Sequence, residues 1–381
     1  MSPVDPVREP VAVTRAQVLN HRAAVHHLEH PAADPLRDGV VVAGVQDSPP
    51  GRTAAVALRA RGERADPGHL ALVHSMRAAA HLHRAEDLAL LAAALRPDDA
   101  RELARDHLGP FGEDLTAEHI GFAAAVDQVA EAMRAVTADR RARTKGELST
   151  ALNEVVDAQL RPWCQGCGVH HVQDTLFRYA TLQAGLCIAV HTSGPFHYVR
   201  WPAGRRRGPG PQESRRLLVR RFLRWCGPAR PVDLARWLAL TPAAARQLWD
   251  PLGDRLDEVS VDGRRGWMHH EDLDELRTAP AATGVRLLPP HDPLTELADR
   301  ELLLPDRARR GAVWRATARP GVLVVRGEIA GTWRQRAAAG RVTVTIEPFG
   351  TLTATERRAA RDHAEALNES AGQHVETRFT P

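Results

Sequence analysis

One local pattern occurs three times in this chain, and it constrains the fold more than any other feature. Helices striped with apolar residues run into two short strands joined by a turn. A 3.6-residue period that gives way to a period of two in this order is a helix-turn-helix with a β-hairpin wing. In the first copy Thr14 caps a helix carrying Val18, Leu19 and Val25, and Thr53–Arg61 continues as helix. The strands Leu70–Val73 and Ala79–His83 and the helical stretch Leu88–Leu95 complete it. The second begins at Thr144, with Glu147 three residues on, the spacing of a capping box. Its helix Val172–Ala184 presents Leu176, Tyr179, Ala180 and Gln183 periodically and stops at Gly185, before the strands Leu186–His191 and Phe196–Trp201. The third starts at Ser214, with Leu217, Leu218, Phe222 and Trp225 on one stripe, and continues through Val232–Leu238 and Pro242–Trp249. Its strands Glu258–Val261 and Gly266–His269 flank Asp262-Gly263, a hairpin turn signal.

These repeats predict an α+β, mainly helical chain of tandem winged-helix units in a concave array. The expected divisions are a first winged helix over 1–96, a helical spacer over 97–143, and a second winged helix with a basic linker over 144–211. A third winged helix spans 212–284 and a C-terminal α+β block 285–381. In that block Val322–Val325, Glu328–Thr332 and Arg341–Glu347 read as strands and Thr353–Glu369 as helix. A length of 381 residues exceeds one ordinary core, and 43% hydrophobic residues suffice to pack several. No apolar run approaches the roughly 18 residues of a membrane span. Met1–Pro10 alternates proline with charge and lacks the apolar stretch of a signal peptide. A cytoplasmic protein is expected, with Cys164, Cys167, Cys187 and Cys226 as thiols or metal ligands.

The formal charge is only +4, but Lys145 is the single lysine among 51 basic residues. Arginine offers a planar fork that fits phosphate oxygens and guanine edges. Coding bias explains part of this. Between Arg200 and Arg224, however, Arg205, Arg206, Arg207, Arg215, Arg216, Arg220 and Arg221 face one acid, Glu213, a local excess suited to a polyanion. Arg205, Arg206 and Arg207 suit phosphate contact, or else form a solvated Gly/Pro/Arg linker.

At this point the residues resemble a known family. Leu287-Leu288-Pro289-Pro290-His291-Asp292-Pro293, the run Arg300 to Pro305, Trp314-Arg315, and Gly327 followed by Gly331-Thr332-Trp333-Arg334 look like one recurring C-terminal block. It resembles that of the winged-helix DNA glycosylases of the AlkZ and YcaQ type. Thr14–Leu28, Gly44-Val45-Gln46 before Val56–Arg61, Met76-Arg77 with His81-Leu82, and Thr144–Leu148 fit in order. The resemblance implies a C-shaped array gripping duplex DNA and excision of alkylated purines, including bulky adducts and interstrand crosslinks made by genotoxic natural products. Repair or self-resistance follows as the role, with no metal or organic cofactor. It places Gln46 at the first position of a catalytic Gln-x-Gln/Asp pattern. This chain departs at the second, where Ser48 stands and Asp47 puts the carboxylate one residue early.

An N-alkylated purine already carries positive charge and leaves readily. The remaining work is to stabilise an oxocarbenium-like sugar and orient a water at C1′. Gln46 can hold that water. Asp47 either takes its proton or caps a Pro-rich turn, and Ser48 orients either group. With one lysine there is little scope for an amine Schiff base, so a monofunctional glycosylase using water is expected. Arg77, His81 and His83 are candidate DNA contacts on a hairpin lying in a groove, Arg77 on phosphate and His81 near the reaction centre; otherwise the two histidines are half-buried and hydrogen-bonded in the strand. His291 and Asp292 face the DNA cavity or tie a loop, and Arg334 is a further DNA contact. The stretch Cys164–His171 offers Cys164, Cys167 and His170 or His171 as three zinc ligands, with Cys187, His191 or Cys226 as the fourth; otherwise the thiols are buried beside a helix start, with His170 near DNA or capped. A monomer acting on double-stranded DNA is expected, and the rival to the enzyme is a non-catalytic winged-helix DNA-binding protein, a regulator or damage sensor. A regulator usually needs dimer symmetry, and the sequence shows no heptad repeat.

Overall fold

The computed structural model describes residues 9–64, 66–96, 102–103, 105–191, 193–201, 208–296, 299–338, 340–369 and 374–380. Helical residues outnumber strand residues in this mixed α/β chain. Local chemistry sets the helix starts. Thr14 caps Arg15–Val25 with Gln17 reaching back, and Thr144 caps Lys145–Asn153 with Glu147 doing the same. Each box satisfies two backbone donors that the first turn leaves open. Asp262 (φ 47°) with Gly263 (φ 82°), and Arg326 (φ 51°) with Gly327 (φ 76°), are paired left-handed residues of the kind that joins twisted strands tightly.

Three helix-then-hairpin segments are present. Leu70–His74 and Ala80–Arg84 pair antiparallel, and Val45–Gln46 adds a strand beside Ala80–Arg84. Leu186–Ala189 pairs with His197–Arg200. Leu256–Val261 pairs with Arg264–His269, and Val11–Val13 joins Leu256–Val261 in parallel. The N-terminal strand thus docks on the third hairpin, and Arg15–Val25 packs against Pro211–Cys226 and Leu273–Thr278.

The C-terminal sheet has five strands in the order Val285–Leu288, Gly321–Val325, Glu328–Ala338, Arg341–Pro348 and His374–Phe379, the last parallel to its neighbour. Helix Ala354–Asn368 packs on both of its outer strands. The first and last of these strands escaped the pattern reading, because the first is short and the last pairs across a helix.

One core cluster unites the first and third segments with the C-terminal sheet through Val45, Leu88, Phe222, Leu288 and Trp333. A second gathers the spacer helix Phe122–Val136 and the helix Asp174–Gln183 around Met133, Leu148 and Phe177. Each fully buried side chain of this size contributes about 1.5–3 kcal/mol. No helix among the described residues is long and apolar enough to cross a membrane.

The arginine excess needs correction. On helix Pro211–Cys226, Arg221 pairs with Asp87, Arg220 with Asp272, and Arg224 with Glu275 and Asp272. Acids distant in sequence neutralise these arginines, so the helix stitches segments together rather than offering a bare cationic face. Arg205, Arg206 and Arg207 lie outside the described residues.

Candidate active site

The short strand Val45–Gln46 carries the first site residue. Its pairing sets Gln46 opposite His81. The backbone then turns, and Thr53 ties it down by donating its hydroxyl to the Gln46 carbonyl at 3.0 Å. Both ends of the Gln46 amide are engaged. Arg77 donates from Nη2 to Oε1 at 2.7 Å, and Nε2 lies 3.2 Å from Nδ1 of His291.

Arg77 reaches Gln46 from a strained backbone. Arg77 and Ala78 have φ of 55° and 54°, a left-handed pair with no glycine. Such conformations cost about 1–3 kcal/mol each and persist where surrounding structure holds them. Here Arg77 also donates to the Trp237 carbonyl (2.6 Å) and pairs with Glu296 (3.0 Å).

Glu296 is the residue that sequence reading missed. It pairs with Arg77 and Arg319, and its Oε1 lies 3.4 Å from His291 Nδ1. Burial pushes its carboxyl up, yet the hydrogen bond with His291 and the charges of Arg77 and Arg319 outweigh that and hold it at about 2. His291 Nδ1 therefore has donors on one side, Gln46 Nε2 at 3.2 Å and Arg319 Nη1 at 3.4 Å, and an acceptor in Glu296 on the other, and one proton decides between the two sides. Unprotonated, it accepts from Gln46; protonated, it donates to Glu296. The available signal was an acid five residues beyond His291 in a block already singled out.

Gln46, Arg77, His81, His291 and Glu296 line a cleft of about 20 Å³, the size of one water. Arg77 also lines a cavity of about 710 Å³ walled by Leu95, Tyr179, Leu238, Leu240 and Leu248. That size suits a nucleobase or a larger planar group.

Asp47 does not face the cleft. It is buried, and its carboxylate accepts from the backbone N–H groups of Gly51 (2.6 Å), Arg52 (2.9 Å), Thr53 (2.7 Å) and Ala54 (3.1 Å). The expectation that it takes a proton from water gives way to a cap on helix Ala54–Arg59. The half-buried Ser48 donates its backbone N–H to Thr53 Oγ1 and so belongs to the same turn.

His81 and His83 are both buried. Nδ1–H of His81 donates to the Ala79 carbonyl, and Nε2 of His83 meets the Ser75 hydroxyl at 2.9 Å. Burial holds His81 well below its ordinary value and His83 at about 3, so both are neutral and neither is a DNA contact on the surface. Gly44 shows what His83 does. With φ +87°, its place allows no side chain, since a Cβ would stand 2.3 Å from His83 Cε1. The histidine props the loop that leads to Gln46.

His291 and Asp292 separate. His291 (φ 62°) turns to Gln46, whereas Asp292 is fully buried in a two-pronged pair with Arg61 at 2.7 and 2.8 Å. Asp292 is thus a tie for the loop and no DNA contact. Arg334 is exposed, opposite Thr345 in the C-terminal sheet and outside this cleft. Cys164, Cys167 and His171 lie together; Cys187 and Cys226 are buried elsewhere.

A family model described as DNA glycosylase AlkZ-like matches residues 41–369. Over 134 residues the chain is 33% identical to the interstrand DNA cross-link repair glycosylase of Streptomyces sahachiroi, a stretch that is 33% of this chain and 35% of that relative. The match thus spans about a third of that relative's length. Among solved structures, Streptomyces sahachiroi DNA glycosylase AlkZ aligns with a TM-score of 0.72 at 23% identity, covering 97% of this chain and 100% of that one. A likeness at that identity shows the fold. With a family model matched over most of its length, the chain belongs to the AlkZ-like DNA glycosylase family.

Proposed function

We propose that the chain is a monofunctional DNA glycosylase that hydrolyses the N-glycosidic bond of alkylated or bulky-adduct purines in duplex DNA. Tandem winged-helix units arranged as a C would hold the duplex, acting as a monomer. The observation that carries this is the Gln46 amide, fixed at both ends over a cleft the size of one water.

Oε1 of Gln46 keeps a lone pair beside the one Arg77 uses, and a water donating to it is aimed at C1′. As the oxygen bonds C1′, the glycosidic C–N bond breaks and its electron pair neutralises the cationic purine. The water's proton passes to His291 Nδ1, which turns its hydrogen bond to Glu296. The ionised Glu296 stabilises the imidazolium so formed. The cavity of about 710 Å³ beside Arg77 takes the flipped base and its adduct. Arg205, Arg206, Arg207 and Arg334 serve as phosphate contacts. Crosslink unhooking and self-resistance to a genotoxic natural product fit the same site, and the name of the Streptomyces sahachiroi relative supports the first of these.

Asp47 favours one rival, a damage-binding protein without catalysis, because the loop's own carboxylate is occupied by backbone. The test uses duplexes carrying N7-methylguanine or a bulky guanine adduct, incubated with wild type, Gln46→Ala and Glu296→Gln, then treated with alkali. Strand breaks from wild type that fall about 10²–10⁴-fold in Gln46→Ala establish the glycosylase. Intact strands on both duplexes, with salt-sensitive binding retained, sink it in favour of the binding protein.

A further inference from the structure

We propose that Cys164, Cys167 and His171 bind a thiophilic divalent cation, zinc by preference, with one coordination position open to solvent. This departs from the expectation of a metal-free protein and is independent of the glycosylase reading.

The ligand atoms are already gathered. The two sulfurs and a ring nitrogen of His171 all lie within 4.8 Å of one another. A tetrahedral zinc with Zn–S of about 2.3 Å and Zn–N of about 2.0 Å sets its ligand atoms roughly 3.5–3.8 Å apart. Small side-chain adjustments close the gap, and Cys167 is exposed and free to make them.

The backbone is built for this cluster. Trp163–Cys164 and Val169–His170 form a two-stranded ribbon. Between them the backbone N–H groups of Cys167 (3.3 Å) and Gly168 (2.8 Å) both donate to the Cys164 carbonyl, closing a tight turn with Gly168 at φ +66°. That turn brings two sulfurs spaced three residues apart to one place.

The histidine is oriented for ligation. His171 Nδ1 sits 2.7 Å from the Val172 carbonyl, which can only accept, so Nδ1 carries the proton and Nε2 the lone pair. Metal-bound histidines are held in this way by their second nitrogen. His170 is not gathered with the sulfurs, and its ring packs on Trp163 at 5.2 Å instead. The fourth ligands that the sequence suggested are elsewhere. Cys187 and Cys226 are buried in a strand and a helix of the protein core, and His191 meets His197 edge-on at 4.8 Å. Water completes the shell.

Two thiolates and an imidazole suit zinc and reject magnesium and calcium, which take oxygen ligands. The ribbon also has a use for a crosslink. Trp163 and Val169 are 56% and 50% exposed, so the ribbon buries little apolar surface of its own. A bound metal would fasten it to the start of helix Asp174–Gln183, beside the anchor that Asn153 supplies to the His170 carbonyl at 2.6 Å.

The full chain, stripped of metal and kept reduced, is titrated with cobalt(II) and then with zinc. Saturation near one equivalent is expected, with a near-ultraviolet thiolate-to-cobalt band and the intense visible bands of a four-coordinate site, both abolished by zinc. Cys164→Ser and Cys167→Ser should each weaken binding at least tenfold and shrink the thiolate band, while His171→Asn leaves that band and shifts the visible ones. Circular dichroism establishes that each variant is folded. Absence of the band at stoichiometric cobalt, or a band that survives in the double cysteine variant, overturns the proposal.

Discussion

Gln46 and Asp47 are adjacent, yet strand geometry sends them to opposite duties. Gln46 meets Arg77 and His291, whereas Asp47 holds four backbone N–H groups. The two variants should therefore separate stability from chemistry. Asp47→Ala leaves buried donors without their acceptor and should lower unfolding stability by about 2–3 kcal/mol in urea titration. Gln46→Ala should leave the urea midpoint nearly unchanged and abolish alkali-revealed strand breaks. If Asp47→Ala kept full stability and lost only activity, the capping role would be wrong. Glu296 adds a pH signature. Its folded value of about 2 lies below the ordinary 4.5, so the ionised group stabilises the fold fully above about pH 4.5. That contribution is lost as the pH falls toward 2. Glu296→Gln should flatten this acid limb in a series of denaturation curves, and an unchanged limb would show that the carboxyl is not held by its cationic neighbours.

At the scale of elements, the loop bearing His291 is fastened to the end of helix Ala54–Arg59 by Arg61 and Asp292, both fully buried. Arg61 also donates to the carbonyls of His26 and Ala57. Removing one partner strands a charge in the interior, so Asp292→Ala should cost about 3–5 kcal/mol, while Arg61→Leu with Asp292→Leu should cost clearly less. Equal losses in the two would contradict a stranded charge as the cause. The helix caps at Thr14 and Thr144 and the turn at Asp262-Gly263 were legible in the sequence, because their chemistry is complete within four residues. Gln46 was legible through a resemblance in a short motif. Glu296 and Arg319 were not, since their meaning comes from Arg77, more than two hundred residues away. The parallel pairing of Val11–Val13 with Leu256–Val261 escaped for the same reason. Asp47 misled because a carboxylate beside a catalytic amide reads alike whether it faces substrate or backbone.

Across the whole molecule, histidines sit where charge is expensive. His21, His26, His74, His81 and His83 are buried, and they occur on the N-terminal helix, in the second core and beside the candidate site. Burial lowers all five: His74 and His83 to about 3, His21 to about 4, and His26 and His81 well below their ordinary range. Each is neutral when folded and titrates normally, near 6.5, when unfolded. Below pH 6.5 the unfolded chain therefore binds protons that the folded chain refuses, and stability falls as the pH falls. A group that stays neutral in the fold adds at most about 1.4 kcal/mol per pH unit to that slope below about pH 6.5. Stability should accordingly begin to fall below about pH 6.5, above the carboxylate range where Glu296 acts. Urea midpoints measured at intervals from pH 7.5 to 5 should fall, and His74→Phe should reduce the slope by about one proton while leaving the Tyr198 hydroxyl, 3.1 Å from His74 Nε2, without that partner. A midpoint that stays level to pH 5 would mean that these histidines exchange protons with solvent while folded, and that the cores around them open more readily than their burial implies.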